Sequence, residues 1–111
     1  MAFQTITLAR LAQLAIPAAN TTAYTVPALT RTMVKCITLA NTTGATITVA
    51  LHIVPSAGSP AAANTLLPTI PVLANSVFQL DTAQVMNAGD FINVIASATG
   101  CTVTISGGEA T

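Results

Sequence analysis

His52 is the only histidine in this 111-residue chain, and Asp81, Asp90 and Glu109 are its only side-chain carboxylates. Nucleophilic catalysis needs a base beside the nucleophile and a third group that orients the base. His52 falls in "TITVALHIV" (46–54), in phase with Thr46, Thr48 and Ala50, and reads as an exposed histidine on a strand. Asp81 follows "SVFQL" and Asp90 follows "NAG". A carboxylate pair can do acid–base work, but each is explained more simply as a turn residue accepting backbone N–H groups nearby. Cys36 and Cys101 are the only cysteines, and with one histidine they do not complete a zinc site. Cys101 shares the phase of Val103 and Ile105, whereas Cys36 is out of phase with Ile37 and Leu39. The two sulfurs should therefore point to different faces and stay reduced.

Other motifs are equally bare. "SGGEAT" (106–111) lacks the lysine, spacing and following helix of a phosphate loop. No run of Asp and Asn has the spacing of a calcium loop. Asn20-Thr21-Thr22 and Asn41-Thr42-Thr43 are glycosylation sequons expected by chance in a chain so rich in threonine. These residues point to a protein that is not an enzyme and carries no metal or cofactor.

The elements that carry these residues are strands. "TAYTV" (22–26) ends at Pro27, and "MVKCITLA" (33–40) leads into the turn "NTTGA". In "TITVALHIV", Ile47, Val49, Leu51 and Ile53 share one face, so 33–40 and 46–54 read as a β-hairpin. "TLLPTIPVL" (65–73) carries Pro68 and Pro71, which cannot donate to a ladder, and belongs at a sheet edge. "SVFQL" (76–80) is a strand. Residues 81–90 read mainly as connection, with Val85 dipping inward, and "FINVIAS" (91–97) with "CTVTISG" (101–107) reads as a second hairpin. Six or seven short strands with regular turn signals make an all-β fold, a small antiparallel β-sandwich of jelly-roll or immunoglobulin-like type. The absence of tryptophan removes the immunoglobulin signature. The expected core is Ile37, Leu39, Ile47, Val49, Leu51, Ile53, Phe78, Leu80, Ile92, Val94, Val103 and Ile105.

The β-sandwich domain spans 21–111, and 1–20 reads as an N-terminal arm. In "FQTITLARLAQLAIPAAN", Leu8, Leu11 and Ala15 have helical spacing, while Thr5, Ile6 and Thr7 alternate like a strand. So short a helix is marginal without something to pack on, so the arm should become ordered against a neighbour or against the domain's own edge; the alternative is a first strand or helix of the domain itself. Phe3, Ile6, Leu8, Arg10, Leu11 and Leu14 are the candidate interface residues.

Charged residues are 5% of the chain, against about 25% in an ordinary soluble domain. They are Arg10, Arg31, Lys35, Asp81, Asp90 and Glu109, and they sum to zero. No basic stripe is available to neutralise phosphates, and the four aromatics (Phe3, Tyr24, Phe78, Phe91) offer no stacking platform. Nucleic acid is not an expected partner. Nor is a membrane: prolines, glycines and asparagines interrupt the uncharged stretch from 36 to 80, and the aromatic girdles of a membrane barrel are missing. Arg10 interrupts any signal-peptide core, so synthesis in a cytoplasm is expected. A neutral surface of Thr, Ala, Ser, Asn and Gln favours association, and sheet edges without Lys or Glu lack their usual protection. Such a surface suits a subunit with permanent neighbours, a homo-oligomer or a component of a shell.

The runs "YTVPALTRTMVKCITLANTTGATITVALHIVPSAGSPAAANTLL" and "VFQLDTAQVMNAGDFINVIASATGCTVTISGGE" resemble small β-sandwich virion structural proteins of tailed bacteriophages. Matching positions are Tyr24 to Ala28, Asn41, Thr42, Pro55 to Gly58, Gly89, Asp90, Ile92, Ser106 and Gly107, over about residues 20 to 109. The resemblance implies a structural role: a head decoration (cement) protein, or a tail or baseplate accessory, often trimeric. It implies self-association, contact with the major capsid protein or other virion proteins, and residence in the virion after synthesis in the host bacterial cytoplasm. A small adhesin or carbohydrate-binding module is the competing expectation. Tyr24 is its one plausible aromatic platform, expected near a strand start and partly packed.

Overall fold

The period-two alternation becomes eight strands. A computed structural model of the chain describes residues 6–110. The strands are β1 (Ile6–Ala15), β2 (Thr21–Thr25), β3 (Arg31–Asn41), β4 (Ile47–Val54), β5 (Thr65–Val72), β6 (Val77–Met86), β7 (Phe91–Ala96) and β8 (Cys101–Ala110). They form two four-stranded antiparallel sheets, ordered β1-β8-β3-β6 and β2-β7-β4-β5. This is a small β-sandwich, and its two interleaved Greek keys are the topology of a jelly roll.

Both expected hairpins are corrected by this topology. β3 and β4 lie in different sheets, as do β7 and β8; among the described strands only β4 and β5 are both consecutive and paired. The "NTTGA" turn is an arch between sheets. Its geometry rests on Asn41, which is buried and uses every polar group it has. Its amide Nδ2 donates to the carbonyls of Ala45 (2.7 Å) and Val72 (2.9 Å), and its Oδ1 accepts from the Thr43 N–H (2.9 Å) and hydroxyl (2.7 Å). A fully satisfied buried amide fixes a crossing that a hydrophobic pattern alone cannot specify. Asn20, just before β2, makes a single bond to the sheet, its Oδ1 accepting from the Nδ2 of buried Asn93 at 3.0 Å.

Nine of the twelve expected core residues are buried: Ile37, Leu39, Ile47, Val49, Leu51, Ile92, Val94, Val103 and Ile105. Phe78 and Leu80 are half-buried against that core because β6 is an edge strand. Ile53 is half-buried while Val54 is buried, because the pairing of β4 with β5 is irregular between Leu51 and His52. Ile16, Val26, Val34, Val72 and Met86 are the larger of the further side chains buried with them. β5 takes the edge position its two prolines require.

β6 is twice as long as the sequence suggests and runs to Met86. Between Val34↔Gln84 and Cys36↔Asp81, Thr82 and Ala83 oppose Lys35 alone. The phase of β3 changes there, from buried Thr32 and Val34 to buried Ile37 and Leu39, whereas β6 keeps its alternation. Met86 points inward like Phe78 and Leu80, and Val85 points outward at 56% exposure like Val77, which corrects the inward reading of Val85. The first segment is a strand, and its helical spacing is not realised. β1 pairs with β8 along its whole length, so residues 6–15 are ordered against the domain's own edge. A bulge between Arg10 and Ala12 inserts one residue and shifts the phase, so that Leu8 and Arg10 face outward while Ala12 and Leu14 face the core.

Candidate functional site

The residues proposed for chemistry are scattered. His52 is half-buried in β4 opposite Asn93 and Thr65, and its Nδ1 is buried without a hydrogen-bond partner. Asp90 behaves as a turn residue, accepting from the Ser56 N–H at 3.0 Å and the Asn87 N–H at 2.9 Å. Asp81 does not: it lies within β6 opposite Cys36, exposed and in the other sheet from the β7 that Asp90 precedes. Both cysteines are free. Cys101 is buried, and burial pushes its thiol up from the ordinary value; Cys36 is half-buried beside Gln79, whose Nε2 donates to its sulfur at 3.1 Å. Among the described residues no cluster of three or more His, Cys, Asp or Glu side chains could hold a metal ion.

One polar cluster ties the two sheets together. The Tyr24 hydroxyl, on β2, donates to Glu109 of β8 and lies 2.8 Å from the Thr32 hydroxyl of β3. Thr32 and Glu109 are direct cross-strand partners. With its single proton given to the carboxylate, the phenol receives one from Thr32. The Tyr24 pKa is pushed up to about 12, first by burial and then by the hydrogen bond to Glu109; the Thr32 contact works against the rise. The only tyrosine is thus committed to the fold, half-buried with its polar end engaged.

The feature that gathers unusual residues is the outer face of the β1-β8-β3-β6 sheet. A groove of about 640 Å³ runs over it. Strand alternation places 6, 8 and 10 of β1, 106, 108 and 110 of β8, and 31, 33 and 35 of β3 on this one face. Its middle row crosses the whole sheet in register: Leu8↔Gly108, Gly108↔Met33 and Met33↔Val85. Leu8 is 87% exposed and Met33 42%, while Gly108 has no side chain and leaves the centre of the row low. On either side of that apolar row stand the cations. Arg31 and Lys35 flank Met33 along β3, and Arg10 is two residues from Leu8 on β1. The bulges at Leu11 and Lys35 occur at the same level of β8, beside Ser106, where they bend the sheet.

Every lysine and arginine of the chain therefore lines one groove, and among the described residues no carboxylate does. Of the candidate interface residues, Ile6, Leu8 and Arg10 lie on this face. Leu11 and Leu14 do not; they pack against the core, Leu11 by simple alternation from Arg10 and Leu14 because of the bulge after Arg10. Phe3 lies outside the described residues. The composition holds no signal for this clustering, because Arg10, Arg31 and Lys35 are brought together only by the pairing of β8 with both β1 and β3.

No family model matches the chain, and no curated protein matches it. Its fold does match solved structures. A protein of Bacillus endospore appendages, a family of disulfide-linked pili, superposes with a TM-score of 0.56 at 13% identity, covering 96% of this chain and 88% of that one. Chains from infectious bursal disease virus, strains Gx and Gt, superpose with TM-scores of 0.54 and 0.50 at 8% and 6% identity. Each covers 96% of this chain, which spans only 32% and 31% of those viral chains. At these identities the likeness is one of fold.

Proposed function

We propose that this chain is a structural subunit of a virion, and specifically a decoration (cement) protein that binds and stabilises the head shell of a tailed bacteriophage. The observation that carries the reading is the one-sided surface. A domain with 5% charged residues sets all its cations and four exposed aliphatic side chains (Ile6, Leu8, Met33, Val85) on one sheet face. Contiguous apolar surface rimmed by polar groups marks a protein contact. Sharing a fold with a pilus protein and a virus chain, together with the sequence resemblance to phage virion proteins, supports placing that contact in an assembly. The unit is a homo-oligomer, with a trimer favoured, and its partner is the major capsid protein or another virion protein. Each contact should bury about 800 Å² per partner, the usual size for a stable interface.

Light scattering coupled to size-exclusion chromatography, followed by sedimentation with shells assembled without the chain, tests this. The subunit reading expects an oligomer that pellets with the shells. A monomer at micromolar concentration that stays in the supernatant contradicts it.

A further inference from the structure

We propose that the groove across β1-β8-β3-β6 receives an extended segment of a different protein, in which aliphatic side chains are flanked by carboxylates. This rests on the reading of the chain as an assembly subunit and specifies the chemistry of its partner. The apolar row Leu8–Gly108–Met33–Val85 lies between two levels of positive charge, Arg31 on one side and Arg10 with Lys35 on the other. Two residues along a strand span about 6.6 Å. A segment lying over the row thus sets aliphatic groups into it and brings its acidic groups within reach of the long Arg10 and Lys35 side chains.

A second copy of this chain does not meet that requirement. A two-fold pairing of the face with itself would oppose cations to cations, an arrangement that disfavours association. Another surface of a copy has little to offer: of the side-chain carboxylates, Glu109 is engaged by Tyr24 and Asp90 holds the backbone of Ser56 and Asn87, so Asp81 alone would have to answer Arg10 and Lys35 together. Among the described residues no aromatic side chain lines the groove for a nucleic acid to stack on. An anionic membrane is a flat partner, and three cations give it weak attraction, whereas a concave apolar floor suits an inserted chain.

The test uses fluorescence anisotropy with the full chain and a labelled peptide of leucines flanked by glutamates. Three competitors are compared: the peptide with lysines for glutamates, the peptide with serines for leucines, and vesicles of phosphatidylcholine with phosphatidylserine. The groove assignment expects saturable binding of the acidic leucine peptide alone. Combined Arg10→Glu and Lys35→Glu substitution should weaken it roughly tenfold or more, since attraction becomes repulsion at two exposed sites. Leu8→Asp should weaken it comparably, and Leu29→Asp, equally exposed but outside the groove, should leave it unchanged. Equal binding of the lysine peptide, indifference to the Arg10, Lys35 and Leu8 changes, or preference for vesicles overturns the proposal. Sedimentation with shells keeps the two readings separate. A chain that pellets with shells but ignores the peptide loses the groove assignment alone, and one that takes the peptide yet never joins a shell loses the subunit reading.

Discussion

Tyr24 offers a spectroscopic handle on how the two sheets are joined, because the chain has one tyrosine and no tryptophan. Tyrosinate absorbance in the near ultraviolet therefore reports this one phenol. With the pKa raised from 10.0 to about 12, about a tenth of Tyr24 should be ionised at pH 11, against about nine tenths in denaturant. Glu109→Gln removes the charged acceptor and should lower the midpoint. It should not bring it back to 10.0, because burial is the larger cause and remains. Thr32→Val removes a donor that favours the phenolate and should raise the midpoint further. The consequence for stability follows from the sign of the shift. A raised folded-state pKa contributes stability that is complete below pH 10 and is lost as pH climbs through 12. The melting temperature should fall over that interval in the native chain and fall less in Tyr24→Phe. A native midpoint near 10, or a Glu109→Gln midpoint equal to the native one, would refute the clamp between β2 and β8.

Three further outcomes follow from packing. A Cβ on Gly107 would stand 1.9 Å from the Met33 carbonyl oxygen and 3.2 Å from the Val34 Cα, so Gly107→Ala must part β8 from β3. The obstruction is backbone, so the cost should sit near the top of the overpacking range, about 3 kcal/mol. By thermal denaturation the transition should fall by roughly 10 °C or more. Gly44→Ala meets nothing within 4 Å and should leave the transition unchanged or slightly higher. A thiol-reactive dye should label Cys36 in the native chain and reach Cys101 only on unfolding, since Cys101 is fully buried and its thiol pKa is raised; prompt labelling of both would contradict the placement of β8.

Strand positions were legible in the sequence because alternation is a local signal. Ile47, Val49 and Leu51 face the core, prolines 68 and 71 send β5 to an edge, and Asp90 closes a turn, all as their types demand. Partner choice was not legible. A five-residue turn such as "NTTGA" serves a hairpin or an arch between sheets equally well, and here Asn41 decides for the arch by reaching Val72 of the opposite sheet. One extra residue in β1 changes the phase between Arg10 and Ala12 and brings Leu14 to the core, and β6 continues its alternation further than its apolar run suggests, leaving Val85 outward and Met86 inward. The groove was the least visible feature, since its cations lie on strands far apart in the chain that become neighbours only through β8.

An electron cryo-microscopy map of the native assembly would show which face of the sandwich meets its neighbours. The expected map holds an eight-stranded jelly roll whose β1-β8-β3-β6 face is covered by another protein, with Leu8 and Met33 out of solvent. A map in which that face is open to water while the opposite sheet makes the contacts would contradict it.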